Sequence, residues 1–249
     1  SRELFTLAFP VILSNLSRVL MSVVDVAMVG RLGAAALAAT GMGAMLFWGA
    51  LSLVIGIRTG VQTVASRRLG QKKYDQCGTA LHNGLFMATV YGLPMSIAGW
   101  LLAEDFIPYF INDIKATPLT VEYSSIVFIG LLFSAYSFVF QGFYTGVEKT
   151  KIHMKVSITS NVINVYLNAG LIYGSEGVRL FFSETTPPLS FLSHLWQWTT
   201  FPAMGVKGAA IATLIASLWM FVHYGAYLFS KQIKSRFAVL SLSVNGVMM

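Results

Sequence analysis

Apolar residues fill the chain in six long runs, each interrupted by polar residues mainly at helical intervals. The runs lie near 4–30, 35–66, 80–103, 119–146, 154–174 and 207–230. Each is long enough to cross a hydrocarbon layer of about 30 Å as a helix. The pattern therefore predicts an all-α integral membrane fold, a bundle of six transmembrane helices. The first run, LFTLAFPVILSNLSRVLMSVVDVAMVG, would be about 40 Å long as a helix. That is too long for the apolar core of a signal peptide, and it ends without a small-residue cleavage pattern. The second run is over-long, so its last two turns are expected to project into water or to lie tilted.

Composition supports the membrane reading. The 249 residues are 55% hydrophobic and only 11% charged, with mean hydropathy +0.68, whereas a soluble domain carries about 25% charge. The net charge of +7 does not imply nucleic acid as a partner, because the basic residues flank the apolar runs. Membrane lipid is the expected surroundings. If the N-terminus is cytoplasmic, eleven basic residues face inward: Arg2, Arg67, Arg68, Lys72, Lys73, Lys149, Lys151, Lys155, Lys231, Lys234 and Arg236. Only Arg31, Lys115, Arg179 and Lys207 face outward. The bias places a multi-pass protein in the plasma (inner) membrane with both ends cytoplasmic. Cys77 is the sole cysteine and the four histidines lack ligand spacing, so no metal or organic cofactor is expected.

Two connections add detail. The outer stretch 175–204 is broken by Pro187 and Pro188 and then rich in aromatics, with Trp196 and Trp198; it reads as an interfacial lid or as a gate. GRLGAAALAAT and GVKGAAIAT open the second and sixth runs. Their small residues, with Gly208, Ala212 and Ala216, and Gly56 and Gly60 in the second run, suit close helix packing.

Polar residues form stripes. Asn15, Arg18, Ser22 and Asp25 recur at three- and four-residue intervals and share one face of the first helix. Ser157, Asn161, Asn164 and Asn168 do the same in the fifth helix, and Ser134, Ser137, Gln141 and Tyr144 in the fourth. Thr213 and Ser217 are one turn apart in the sixth. Such groups must find partners inside a membrane, either as glue between helices or around a wet cavity. Asp25 either reaches the outer interface or titrates within that cavity, and Arg18 either pairs with it or snorkels; Arg58, near the inner half of the over-long second helix, either snorkels or serves a function. A buried carboxylate beside carboxamides can exchange a proton, or hold Na⁺ through oxygen ligands, and the neutralisation can tip a helix between two packings. Pro10 interrupts the first helix and reads as a static kink or as a hinge. No nucleophile–base pair, phosphate loop or paired catalytic acids stand elsewhere, so an enzyme is not expected.

FPVILSNLSRVLMSVVDVAMVGRLGAAALAATG resembles the opening of the multidrug and toxic compound extrusion (MATE) transporters. GIRTGVQTVASRRLGQ, GFYTGVEKTKIHMK, NVINVYLNAGLIYG and MGVKGAAIAT are similar to later segments of that family in the right order. The Arg in GIRTG and the VGRLG turn lean toward the branch that includes DNA-damage-inducible protein F. The resemblance implies that Asp25 is the coupling carboxylate, with Asn164, Asn168 and Thr213 as its partners. Asn161, Gln141, Tyr144 and Arg18 would line the substrate cavity, and Pro10 would bend. It also implies an H⁺- or Na⁺-coupled antiporter that exports drugs or other small organic compounds by alternating access. Some members carry Asp where this chain has Asn168, so one formal charge for Na⁺ is missing. Family members have twelve helices in two lobes. Residues 1–230 then correspond to the N-terminal lobe, and 231–249 to the start of the inter-lobe linker of a truncated chain whose C-terminal lobe would be its partner. Two alternatives are a lipid-linked sugar flippase of the same superfamily, which would want a wider cationic cavity and finds support only in Arg18 and Arg58, and a membrane scaffold that transports nothing.

Overall fold

The computed structural model describes residues 2–181, 191 and 194–239, and the side chains from residue 8 onward. No strand occurs among the described residues. The helices are α1 (Arg2–Gly30), α2 (Ala34–Gly70), α3 (Tyr74–Leu101), the single turn α4 (Ala103–Phe106), α5 (Ala116–Ile129), α6 (Leu131–Gly146), α7 (Thr150–Leu180), α8 (Val206–Leu228) and α9 (Lys231–Phe237). Gly33 starts α2 from φ 106°, a region that side chains rarely tolerate. The start of α5 is held by Asp113, whose Oδ1 accepts the backbone N–H groups of Lys115 and Ala116 at 2.9 and 2.7 Å.

Two predicted runs take a different form. The fourth becomes the pair α5 and α6, bent by 49° at Gly130, where α8 brings Leu214 against the glycine. The fifth is longer than 154–174 and breaks at Gly174, with φ 77° and ψ 154°. The break frees the carbonyls of Leu171 and Ile172, which accept the N–H groups of Met204 and Gly205 at 2.8 and 3.1 Å. The chain entering α8 is thereby fastened to α7. Gly208 continues the contact, since a Cβ there would lie 2.3 Å from the Leu171 carbonyl oxygen. Gly56 and Gly60 were expected to pack in the same way, but both face open space on α2.

α1 packs on α7, α7 on α8, and α2 against α3, α5 and α6. The largest core cluster joins these layers through Leu51, Val54, Leu81, Leu131, Phe140 and Tyr224. On the outside of α1, Phe9, Ile12, Leu16, Val19, Val23 and Val26 are exposed at alternating spacings of three and four. The stripe is continuous and apolar. Helices α1, α2, α3 and α8 are long and apolar enough to cross a membrane, and the bent pair α5–α6 makes a fifth span. The fifth run of the sequence, now α7, has the length without the apolar content, because one of its faces carries Ser157, Asn161, Asn164 and Asn168. The chain is an all-α, multi-pass membrane protein.

Residues 231–239, expected to begin a linker, pack on the bundle. Ile233 and Phe237 of α9 are buried, and Gly78 of α3 leaves room for the Phe237 carbonyl. At the opposite end, Trp196 is buried and stacks on Tyr166 with ring centroids 5.0 Å apart, while Trp198 is 92% exposed. Pro187 and Pro188 lie outside the described residues.

Candidate functional site

The polar stripes meet around a single cavity of about 260 Å³. Asn15, Arg18 and Asp25 enter it from α1, Ser134, Ser137 and Gln141 from α6, Ser157, Asn161 and Asn164 from α7, and Thr213 and Ser217 from α8. Phe47, Trp48 and Leu51 of α2 supply an apolar wall. A concave site with an apolar wall and a few converging polar groups is the form that small-molecule sites take.

Asp25 stands at the Gly30 end of the cavity. Asn168 donates from Nδ2 to Asp25 Oδ1 at 2.6 Å and to Asn164 Oδ1 at 2.8 Å. Both amide protons of Asn168 are thus used, and its own Oδ1 is buried without a hydrogen-bond partner. Hydrogen bonds to an ionised group are about twice as strong as neutral ones. Thr213 donates to the Ala209 carbonyl at 2.9 Å, so its hydroxyl oxygen still faces the cavity as an acceptor. Lower on α1, Asn161 donates from Nδ2 to Ser17 Oγ at 2.8 Å, tying α7 to α1 beside the pocket.

The Thr150 end is built differently. Arg58 of α2 donates from Nη1 to Gln141 Oε1 at 3.3 Å. Gln141 Nε2 lies 3.0 Å from His153 Nε2, and His153 Nδ1 lies 2.6 Å from the Tyr224 hydroxyl. Because Arg58 occupies the Gln141 oxygen, the amide must offer N–H to His153. His153 is then neutral, accepts at Nε2, and donates from Nδ1 to Tyr224.

Tyr144 does not reach this cavity. It is fully buried, donates its hydroxyl to the Tyr224 carbonyl at 2.9 Å and stacks on the Tyr224 ring at 5.7 Å. The stripe of α6 therefore leaves the cavity one turn earlier than its periodicity implies, because α8 closes over it there. Ser22 is exposed and does not line the pocket. Pro10 is buried inside a helix that continues through it, and its carbonyl accepts the Ser14 hydroxyl at 2.8 Å.

Several site residues went unread in the sequence. His153 precedes Ser157 by four positions, so extending the α7 stripe by one turn would have included it. Tyr123 of α5 is buried close to Thr213 and Asp25. It fits because Gly43 lacks a side chain: a Cβ there would meet the Tyr123 ring at 2.5 Å. Nothing in the apolar run around Tyr123 marks it. Among the described residues, no group of three or more His, Cys, Asp or Glu side chains could hold a metal ion.

Comparison with known proteins places this architecture. Residues 10–169 match the family described as MatE. The protein named "Probable multidrug resistance protein NorM" from Photorhabdus laumondii is 31% identical over 183 residues, covering 71% of this chain and 39% of that protein. The protein of the same name from Mesorhizobium japonicum is 25% identical over 232 residues, covering 90% of this chain and 44% of that protein. This chain spans about half the length of the curated relatives it matches. A structure titled "Outward-facing conformation of a multidrug resistance MATE family transporter of the MOP superfamily" aligns with TM-score 0.78 at 19% identity, covering 99% of this chain and 49% of that one.

Proposed function

The chain belongs to the MatE family, and from that premise we propose that it acts as one lobe of a transporter exporting small organic compounds. Export runs by alternating access and is coupled to a cation that loads at Asp25. The other lobe is its partner, membrane lipid surrounds it, and both ends of the chain face the cytoplasm at the inner membrane. The multidrug-resistance names of the relatives support the substrate class.

The observation that carries the coupling is the Asn168–Asp25 pair facing the cavity. We read the cation as H⁺. Protonated Asp25 becomes a donor, and a flip of the Asn168 amide presents the buried Oδ1 that otherwise lacks a bond. Neutralising Asp25 then rearranges the contact between α1 and α7. A charge at this depth costs several kcal/mol, and moving a population from 1:99 to 99:1 needs about 5.5 kcal/mol. One protonation can therefore bias the equilibrium appreciably.

The test is export of a cationic dye by the full-length protein in proteoliposomes, driven by an imposed pH gradient or by an imposed Na⁺ gradient. Export driven by the pH gradient and lost in Asp25→Asn is the expected result. Export driven by Na⁺ alone would overturn the proton reading. Undiminished export in a well-folded Asp25→Asn protein would overturn the role of Asp25.

A further inference from the structure

The hydroxyl groups around the cavity direct their protons in two ways. Ser137, Ser160 and Thr213 donate to the backbone carbonyls of Phe133, Ala216 and Ala209 at 2.8, 3.0 and 2.9 Å, which leaves them as acceptors. Tyr224 lines the same cavity in the reverse sense. Its oxygen accepts from His153 Nδ1 at 2.6 Å, and its own proton meets no acceptor among the described residues. We propose that Tyr224 is a specificity-determining residue that donates this proton to an oxygen of the exported compound, and that His153 is the positioning residue that aims it.

Packing leaves the cavity as the place for that acceptor. Tyr224 is 1% exposed, and a donor buried without a partner is unfavourable. Phe140 and Tyr144 stack against its ring with centroids 6.0 and 5.7 Å away, and the Tyr144 hydroxyl is itself a donor, bonded to the Tyr224 carbonyl. The His153 ring lies at 12° to the Tyr224 plane, so the two meet edge to edge. A phenolic proton stays near the plane of its ring and turns away from a donor that its oxygen accepts. With His153 on one side of the oxygen and aromatic rings over the face, the proton turns to the cavity.

The bonds behind Tyr224 all run one way. Arg58, outside the cavity lining, donates to Gln141 Oε1 at 3.3 Å. Gln141 donates to His153 and His153 to Tyr224. A chain that begins on a cation and runs donor to acceptor polarises each group in turn, so its last O–H is a stronger donor than an isolated phenol. The chain is also fixed at its start. A Cβ on Gly142 would lie 2.4 Å from the Arg58 carbonyl, so α6 packs directly on α2 there. A donor held in this way loses little freedom when a ligand arrives. Its complement is a neutral oxygen acceptor, a carbonyl above all, on a compound with an apolar frame for the wall of Phe47, Trp48 and Leu51.

This role of Tyr224 rests on the cavity being a ligand site, but its test needs no ion gradient. A failure of coupled export and a failure of this hydrogen bond are therefore separate results. The probes are fluorenone, isotope-labelled at its carbonyl, and fluorene, which has the same frame without the oxygen. Binding to the full-length protein in phosphatidylcholine nanodiscs is measured against empty discs, and infrared difference spectra read the labelled carbonyl. Fluorenone should bind about fivefold more tightly than fluorene, with its carbonyl band lowered in frequency relative to fluorenone in lipid.

Tyr224→Phe should remove both the preference and the shift. His153→Leu should weaken both. His153→Gln, whose carboxamide can accept from Gln141 and donate to Tyr224, should restore part of them, which a merely structural role of the histidine would not do. Equal binding of the two probes by the unmodified protein, or an unshifted carbonyl, would overturn the role of Tyr224 and mark its proton as satisfied by water. So would a preference and a shift that survive in Tyr224→Phe. If that variant fails to fold, the histidine variants decide, because a full shift in His153→Leu would likewise overturn it.

Discussion

Asn168 of α7 donates to Asp25 of α1 at 2.6 Å across 143 positions of chain, and in doing so leaves its own carbonyl oxygen buried and unbonded. The pair joins the two helices at the cavity wall and holds a carboxylate in a layer where charge is unfavourable. Its members depend on each other, so their variants should behave alike.

Asn168→Ala is expected to reduce ion-driven export about tenfold or more, because a hydrogen bond to a charged group contributes about 1.5–3 kcal/mol. Asp25→Asn should abolish export while the protein stays folded, since a carboxamide can still bond to Asn168. Transport in proteoliposomes and thermal unfolding by tryptophan fluorescence measure the two effects. Export in Asn168→Ala equal to the unmodified protein would mean that the pair only joins helices.

Pro10 removes one backbone bond from α1, so the helix halves on either side are easier to reorient. Pro10→Ala should lower export about threefold or more with Asp25 intact. It should also blunt any pH-dependent change in distance between spin labels at the Gly30 end of α1 and on α7. If the labels report the same change with and without the proline, the residue is architectural only.

The orientation in the membrane has a direct test. Cys77 is fully buried and should stay silent to thiol reagents from either side. Ile114, 96% exposed, lies at the opposite end of the bundle from Gln71. In intact cells an impermeant maleimide should label Ile114→Cys, and should reach Gln71→Cys only after permeabilisation. The reverse pattern would invert the topology.

Gly142 and Gly56 make a paired test of packing. A methyl at Gly142 would meet the Arg58 carbonyl and force α2 and α6 apart, so Gly142→Ala should destabilise the protein by about 1–3 kcal/mol. Gly56 faces open space, so Gly56→Ala should be neutral or slightly stabilising, given the helix propensity of alanine. Unfolding of both variants in detergent reads the difference. Equal stabilities would mean that the α2–α6 approach is looser than it looks.

The sequence by itself determined the class of protein, most helix limits to within a few residues, and the faces on which polar groups lie. Those properties are local. Apolar run length sets whether a helix can span, and a period of 3.6 residues sets which side chains share a face. The tertiary structure alone decided which faces meet and how deep each stripe runs. Periodicity gives an angle around a helix but not the neighbour that stands opposite, so it could place Asn168 on a stripe without bringing it to Asp25. It could also assign Tyr144 to the face of Gln141 without revealing that α8 covers that face one turn further on. The bend at Gly130, the break at Gly174 and the arrival of Tyr123 beside Thr213 were likewise decided by distant backbone pressing on positions that local pattern leaves unmarked. Arg58 was legible only as a charge inside a long helix. Its hydrogen bond to Gln141, 83 positions away, was decided by the packing of α2 on α6.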